Sequence, residues 1–193
     1  MESEAATKSD VELVRLSLSD SDWYAFIVQR YEQQLLRYIR RISGVSREDA
    51  EDVLQEVFLK AYRNLNDFDQ SMKFSSWIYR ITHNTVISEH RKRTARVQLV
   101  GGESAEQFLA LVADDNQDPH ATVNARFDAD LVQRLLSRIE PHYAEVLMLR
   151  YIEEKDYQEI SDILQKPPGT VATLLHRAKS QLRTLIKKEG IQL

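Results

Sequence analysis

The sequence predicts an all-α protein of two small helical domains joined by a flexible linker. Apolar residues recur at three- and four-residue steps, with no sustained period-two alternation. Only 5 Gly and 4 Pro interrupt 193 residues, 42% of which are hydrophobic and 29% charged, a balance that suits packed helices. Between Gly101 and Asp118, five acids (Glu103, Glu106, Asp114, Asp115 and Asp118) stand with no base, punctuated by Gly101-Gly102 and Asp118-Pro119. That stretch reads as an acidic linker over 98–120, with one domain over 1–97 and another over 121–193.

In the first domain a long helix is expected from the cap cluster Ser19-Asp20-Ser21-Asp22, with Trp23, Phe26, Ile27, Tyr31, Leu35, Tyr38 and Ile42 on one broad face. Gly44 ends it. Ser46 with Asp49 resembles a capping box and opens a second helix, whose apolar stripe is Ala50, Val53, Leu54, Val57, Phe58, Ala61 and Tyr62 and whose opposite face is acidic. Asn64 to Lys73 has turn chemistry. A third helix starts at Phe74, carries Trp77, Ile78, Ile81, Val86 and Ile87, and then turns basic. Trp77, inside an apolar stripe, is assigned to packing; Tyr79 stays open.

In the second domain a helix from about Ala121 to Ile139 precedes Pro141, which suits the first turn of a helix running to Tyr151. Asp156 and Glu159 form an N-cap pair for Tyr157 to Leu164. A turn through Gln165-Lys166-Pro167-Pro168-Gly169 leads to a helix over Thr170 to Ile186, with Val171, Leu175, Ala178, Leu182 and Ile186 inward. This is the layout of a helix-turn-helix, in which the second helix enters the DNA major groove. An ordinary helical hairpin with a basic face would show the same periodicity.

For a polyanion, local charge matters more than the total, which is -4. From Arg80 to Arg96 the bases Arg80, Arg91, Lys92, Arg93 and Arg96 face the single acid Glu89. From Lys166 to Lys188 six bases stand with no acid. Two basic segments, well apart, therefore offer themselves to a polyanion.

Several function classes lose support. No Cys is present, so thiolate metal sites, cysteine nucleophiles and disulfides are excluded, in keeping with a reducing cytoplasm. The longest apolar run, Phe108 to Ala113, is far short of the ~20 residues of a bilayer-spanning helix. The start of the chain, with Glu2 and Glu4, lacks the basic and apolar regions of a signal peptide, so a soluble, unexported protein is expected. His83 and His90 are two helical turns apart and His120, His142 and His176 are scattered, so no catalytic or metal constellation is expected, and no cofactor.

Two stretches resemble a known family. Asp49-Ala-Glu-Asp-Val-Leu-Gln-Glu-Val-Phe-Leu-Lys-Ala-Tyr62, then Phe74-Ser-Ser-Trp-Ile-Tyr-Arg-Ile81 and Asn84, resemble region 2 of the extracytoplasmic-function (ECF) sigma factors. Leu149-Arg-Tyr-Ile152, Tyr157-Gln-Glu-Ile160, Pro168-Gly-Thr-Val171 and His176-Arg-Ala178 resemble region 4 of the same family. Two motifs in the family's order are harder to obtain by chance than one helix-turn-helix.

The resemblance implies a non-catalytic transcription initiation factor, cytoplasmic, that brings RNA polymerase core to promoters of a stress or envelope regulon. Core would be met through its β′ clamp helices and β flap, with Asp52, Gln55 and Glu56 on the clamp-helix surface. Phe68 and Asn84 fall on positions that capture an unpaired base of the -10 element, an aromatic ring to stack and an amide to read. Arg91, Lys92, Arg93 and Arg96 would meet phosphates. At the -35 element, Thr170, Thr173, His176 and Arg177 would face DNA with Lys179 and Arg183 in support. Two departures stand out: Ala172 and Leu174 where basic residues are common, and Ser88 where an acid or amide is usual. The family also implies an anti-sigma protein as a partner, and a linker threading near the RNA exit path. The rival reading is a helix-turn-helix regulator acting without core polymerase.

Overall fold

The computed structural model describes residues 2–100, 131–132 and 134–189. All regular structure among them is helical. The chain divides into two compact units, Met1–Ala113 and Asp114–Leu193. The acidic linker from Gly101 onward, and the helix expected from Ala121, lie largely outside the described residues.

The first unit opens with a short helix α1 (Glu2–Ala5) and then α2 (Asp10–Ser19), neither of them among the expected helices. Its signal is present all the same: Ser9 and Glu12 cap each other reciprocally, the box that satisfies two otherwise orphaned amides. Asp20 caps a single 3-10 turn, Ser21–Trp23, and α3 (Tyr24–Ser43) follows. Gly44 stops α3 as expected, at φ 63°, a left-handed conformation open to glycine at little cost.

Helix α4 (Arg47–Arg63) starts with the Ser46 Oγ accepting from the Asp49 amide, while the Asp49 carboxylate is engaged by Arg93. A 3-10 turn, Leu65–Asp67, sits inside the expected turn region, and α5 (Phe74–Val100) runs three residues past the foreseen domain end at Val97. Helices α3, α4 and α5 pack against one another pairwise, with α2 laid on α3. Leu35, Tyr38, Ile39, Ala50, Val57, Ala61, Ile78 and Tyr79 form the centre. Tyr79 belongs to this core, its ring 5.0 Å from that of Tyr38.

An aromatic cluster closes the other end of that core. Phe68 lies 5.3 Å from Phe74 and 5.5 Å from Trp77, and Tyr31 lies 5.6 Å from Phe74. Each buried ring contributes about 1.5–3 kcal/mol of transfer free energy, and edge-on pairing adds to it. Trp77 is a packing residue, as its stripe implied.

In the second unit Leu135, Leu136 and Ile139 pack ahead of α6 (Pro141–Tyr151). Pro141 sits in the first turn, where a missing N–H costs nothing. Asp156 and Glu159 complete a reciprocal capping box at α7 (Tyr157–Leu164). Gln165, at φ 52°, ends α7, and the Ser161 hydroxyl donates to the Lys166 carbonyl at 2.6 Å to hold the turn. Helix α8 (Pro168–Lys188) begins two residues earlier than expected because Pro168 can itself occupy the first turn. Val171, Leu175 and Ala178 are buried against α6 and α7, the arrangement of a helix-turn-helix.

Candidate functional surfaces

Asp52, Gln55 and Glu56 project from one face of α4, as steps of three and four require. Asp52 and Gln55 are exposed, whereas Glu56 is half-buried and ion-paired to Lys60 at 2.7 Å. The face continues into apolar residues that the sequence reading missed. Leu59 is 56% exposed and Tyr62 44%, although periodicity puts Tyr62 in the apolar stripe. The Tyr62 ring instead lies on that of Tyr24, 5.0 Å away, and the Tyr24 hydroxyl donates to the Phe58 carbonyl at 2.7 Å. Burial pushes the Tyr24 phenol well above its ordinary pKa. Leu59 was legible: it lies one turn beyond Gln55 and Glu56, on the polar side of the stripe.

On α5, Asn84 is exposed and available to a ligand. Phe68 is not: only 8% of its surface is accessible, and its ring is held among Phe74 and Trp77. The expectation of a presented stacking ring is therefore corrected to a buried ring that props the loop before α5. The reason is local, since two aromatic neighbours within one turn of the α5 start offer it more apolar contact than solvent does. Ser88, at the position of one departure, donates its hydroxyl back to the Asn84 carbonyl at 2.8 Å. Ile87, expected inward, is 37% exposed.

The basic end of α5 is heterogeneous. Arg91 is exposed and enters no ion pair among the described residues. Lys92 pairs with Glu89 at 2.6 Å, one turn back on the same helix, and Arg93 reaches Asp49 of α4 at 2.9 Å. Lys92 holds the Glu89 carboxyl below its usual range, and Arg93 does the same for Asp49. The side chain of Arg96 lies outside the described residues.

On α8, Thr170, Thr173, His176, Arg177 and Arg183 are exposed and Lys179 is half-buried. The Thr173 hydroxyl donates to the Gly169 carbonyl at 2.9 Å, which leaves its oxygen able to accept. Lys179 lies 5.5 Å from the centre of the Tyr151 ring, and Arg150 sits over Tyr157 at 5.6 Å while donating to the Lys155 carbonyl. Leu175 is 1% exposed and Leu174 is half-buried, so the register places Leu174 at the edge of the core rather than fully in solvent. Among the described residues no cluster of His, Asp or Glu could hold a metal ion, and no helix is long and apolar enough to cross a membrane.

The chain matches sigma-70 region 2 over residues 27–96 and sigma-70 region 4 over residues 129–182. It is 34% identical over 172 residues to the ECF RNA polymerase sigma factor SigW of Bacillus subtilis, covering 87% of this chain and 91% of that one. The chain belongs to the ECF sigma factors. The ECF RNA polymerase sigma-E factor of Escherichia coli is 28% identical over 173 residues, covering 87% and 88% of the two chains. Among solved structures, this ECF sigma factor shares its fold with CnrH in complex with the cytosolic domain of CnrY, at a TM-score of 0.66, 21% identity and coverage of 94% and 99%. It also shares it with RpoE bound to the anti-sigma factor NepR of Bartonella quintana, at a TM-score of 0.68 and 21% identity, covering 83% and 94%. The acidic face of α4 and the exposed part of α5 fall within the region 2 match. The basic helix α8 falls within region 4 up to residue 182, so Arg183 lies just beyond that match.

Proposed function

We propose that this ECF sigma factor engages RNA polymerase core through Asp52, Gln55 and Glu56, and reads promoter DNA with two separate helices. The observation that carries this is the division of polar groups: the exposed Asp52 and Gln55 beside the half-buried Glu56 on α4, the exposed Asn84 and bases 91–93 on α5, and threonines with bases on α8. A carboxylate-and-amide face suits a basic helix such as the β′ clamp. Asn84 reads the edge of an unpaired -10 base while Arg91 binds phosphate, so strand opening draws on binding energy alone, without hydrolysis. At -35, Thr170, Thr173, His176 and Arg177 face the major groove, with Lys179 and Arg183 nearer the backbone. The first domain, 1–97, carries core and -10 binding and the second, 121–193, carries -35 binding and the β flap contact, in the cytoplasm and without a catalytic step.

An anti-sigma protein that covers these surfaces completes the proposal. It is favoured by the absence of Cys and by the lack of any ligand-sensing segment recognised in the sequence, which leave control to a partner. The test is run-off transcription with purified core polymerase on fragmented genomic DNA. Initiation that depends on the added chain is expected; failure to bind core, or to initiate at any fragment, would overturn the proposal in favour of a regulator working through α8 alone.

A further inference from the structure

Arg93 lies in the basic stretch where phosphate contact is expected, yet its guanidinium faces a carboxylate. Nη2 donates to Asp49 Oδ1 at 2.9 Å and Nη1 to Oδ2 at 3.3 Å, a two-pronged contact that ties the far part of α5 to the first turn of α4. Such a fork fixes orientation as well as distance. Asp49 is held in turn by its own amide, which donates to Ser46 Oγ at 3.1 Å.

A second tie joins the last turn of α4 to the middle of α5. Lys60 of α4 pairs with Glu56 at 2.7 Å and donates to the Thr85 hydroxyl of α5 at 3.3 Å, where Thr85 is buried and adjoins Asn84 in sequence. Both ties fit an antiparallel arrangement of the two helices, with the 49–93 and 60–85 pairings offset by three residues, a gap that the long Arg93 and Lys60 side chains span. Extending the Lys60–Thr85 pairing brings Glu56 level with Glu89; Lys60 pairs with the first acid and Lys92 with the second. Lys60 acts on both acids: it bonds Glu56 and also helps hold the Glu89 carboxyl down.

We infer that the Asp49–Arg93 and Lys60–Thr85 ties form a register clamp that fixes the DNA-reading helix α5 on the polymerase-binding helix α4, with Arg93 acting through Asp49 and not through a DNA phosphate. The inference rests on the functional reading above. Apolar packing holds α4 and α5 together but is non-directional, whereas forked and hydrogen-bonded contacts are not. A slip of one residue along α5 would carry Asn84 about 1.5 Å, enough to lose a hydrogen bond to a base edge. Exposed ion pairs add little to stability, so the effect should appear in promoter opening and not in melting. Arg91 is then the phosphate ligand among the three bases of residues 91–93.

The test uses holoenzyme at core concentrations that saturate each variant, and reads open-complex formation together with the salt dependence of promoter binding. Asp49→Arg and Arg93→Asp should each lower open-complex formation severalfold, and the double exchange should recover most of it, because the pair is rebuilt with its signs reversed. Arg93→Ala should leave the salt slope unchanged, while Arg91→Ala should reduce it by about 0.7–0.9, the loss of one phosphate contact. A double exchange as defective as Arg93→Asp, or a reduced slope for Arg93→Ala, would overturn the clamp. If the unaltered chain neither binds core nor opens a promoter, the underlying functional reading fails instead, a result distinguishable from both.

Discussion

The Arg30 guanidinium of α3 donates to the Asp10 carboxylate of α2 at 2.6 Å, and the Tyr31 hydroxyl donates to the other oxygen of the same carboxylate at 2.5 Å. Arg30 also donates to the carbonyls of Ala5 and Lys8, so one side chain gathers the end of α1, the loop and the start of α2 onto α3. Arg30→Ala should loosen this N-terminal segment by about 2 kcal/mol, the range for hydrogen bonds to charged groups. Amide exchange should rise first in Leu13 to Ser17, and Arg30→Lys should restore only part of the protection because it lacks the planar fork. Unchanged exchange would mean that α2 is held by its apolar face alone.

Asp52 is exposed on the acidic face of α4, so its charge can be reversed with little effect on folding. Asp52→Lys should weaken core binding at least tenfold, about 1.4 kcal/mol, while leaving the melting temperature within a degree or two. Glu56→Lys is a less clean experiment because it also frees Lys60 from its partner. Binding titrations against purified core decide the matter, and unaltered affinity for Asp52→Lys would place the interface elsewhere.

Phe68 makes the opposite prediction. With its ring against Phe74 and Trp77, Phe68→Ala should cost about 3–5 kcal/mol and lower the melting temperature of the first unit. Phe68→Leu should lie between the two. A variant that melts normally but loses affinity for single-stranded -10 DNA would show that the ring reaches the base after all.

The Asp49 carboxyl is held below its ordinary value of 3.8, chiefly by the Arg93 hydrogen bonds. A depressed carboxyl contributes its stabilisation above the unfolded value and loses it as pH falls through the folded one. The tie between α4 and α5 should therefore be fully formed at neutral pH and fail only in acid. Following the carboxyl by NMR should show it titrating below 3.8 in the intact chain and moving up in Arg93→Ala; no movement would mean that Arg93 does not govern it.

Leu174 stands at the edge of the helix-turn-helix core beside the fully buried Leu175. Leu174→Arg places a cation beside the groove-facing residues of α8 and should strengthen binding to -35 DNA while weakening binding to an anti-sigma partner that covers the leucine. Melting temperature and both affinities, measured on the same variant, separate this from a packing role. In a packing role the protein would melt lower and the folded fraction would bind the partner unchanged.

Read alone, the sequence determined the helical class, most helix limits and most of the residues that face inward. Gly44, Pro141, the Asp156–Glu159 box and the spacing of Val171, Leu175 and Ala178 act within a few residues of themselves, so they are visible without a fold. The family was equally legible, from motifs at both ends. Helix α2 was legible in principle through Ser9 and Glu12, but its buried face is only Leu13, Val14 and Ser17, too narrow a stripe to stand out.

Only the tertiary structure decided how those residues are used. Phe68 went inside, Tyr62 stayed outside, and Arg93 reached Asp49, a residue 44 positions away in the chain. Periodicity reports which face of a helix is apolar. It cannot report which groups of a second helix arrive opposite, and for a ring or a charge that arrival sets the balance between solvent, core and counter-ion.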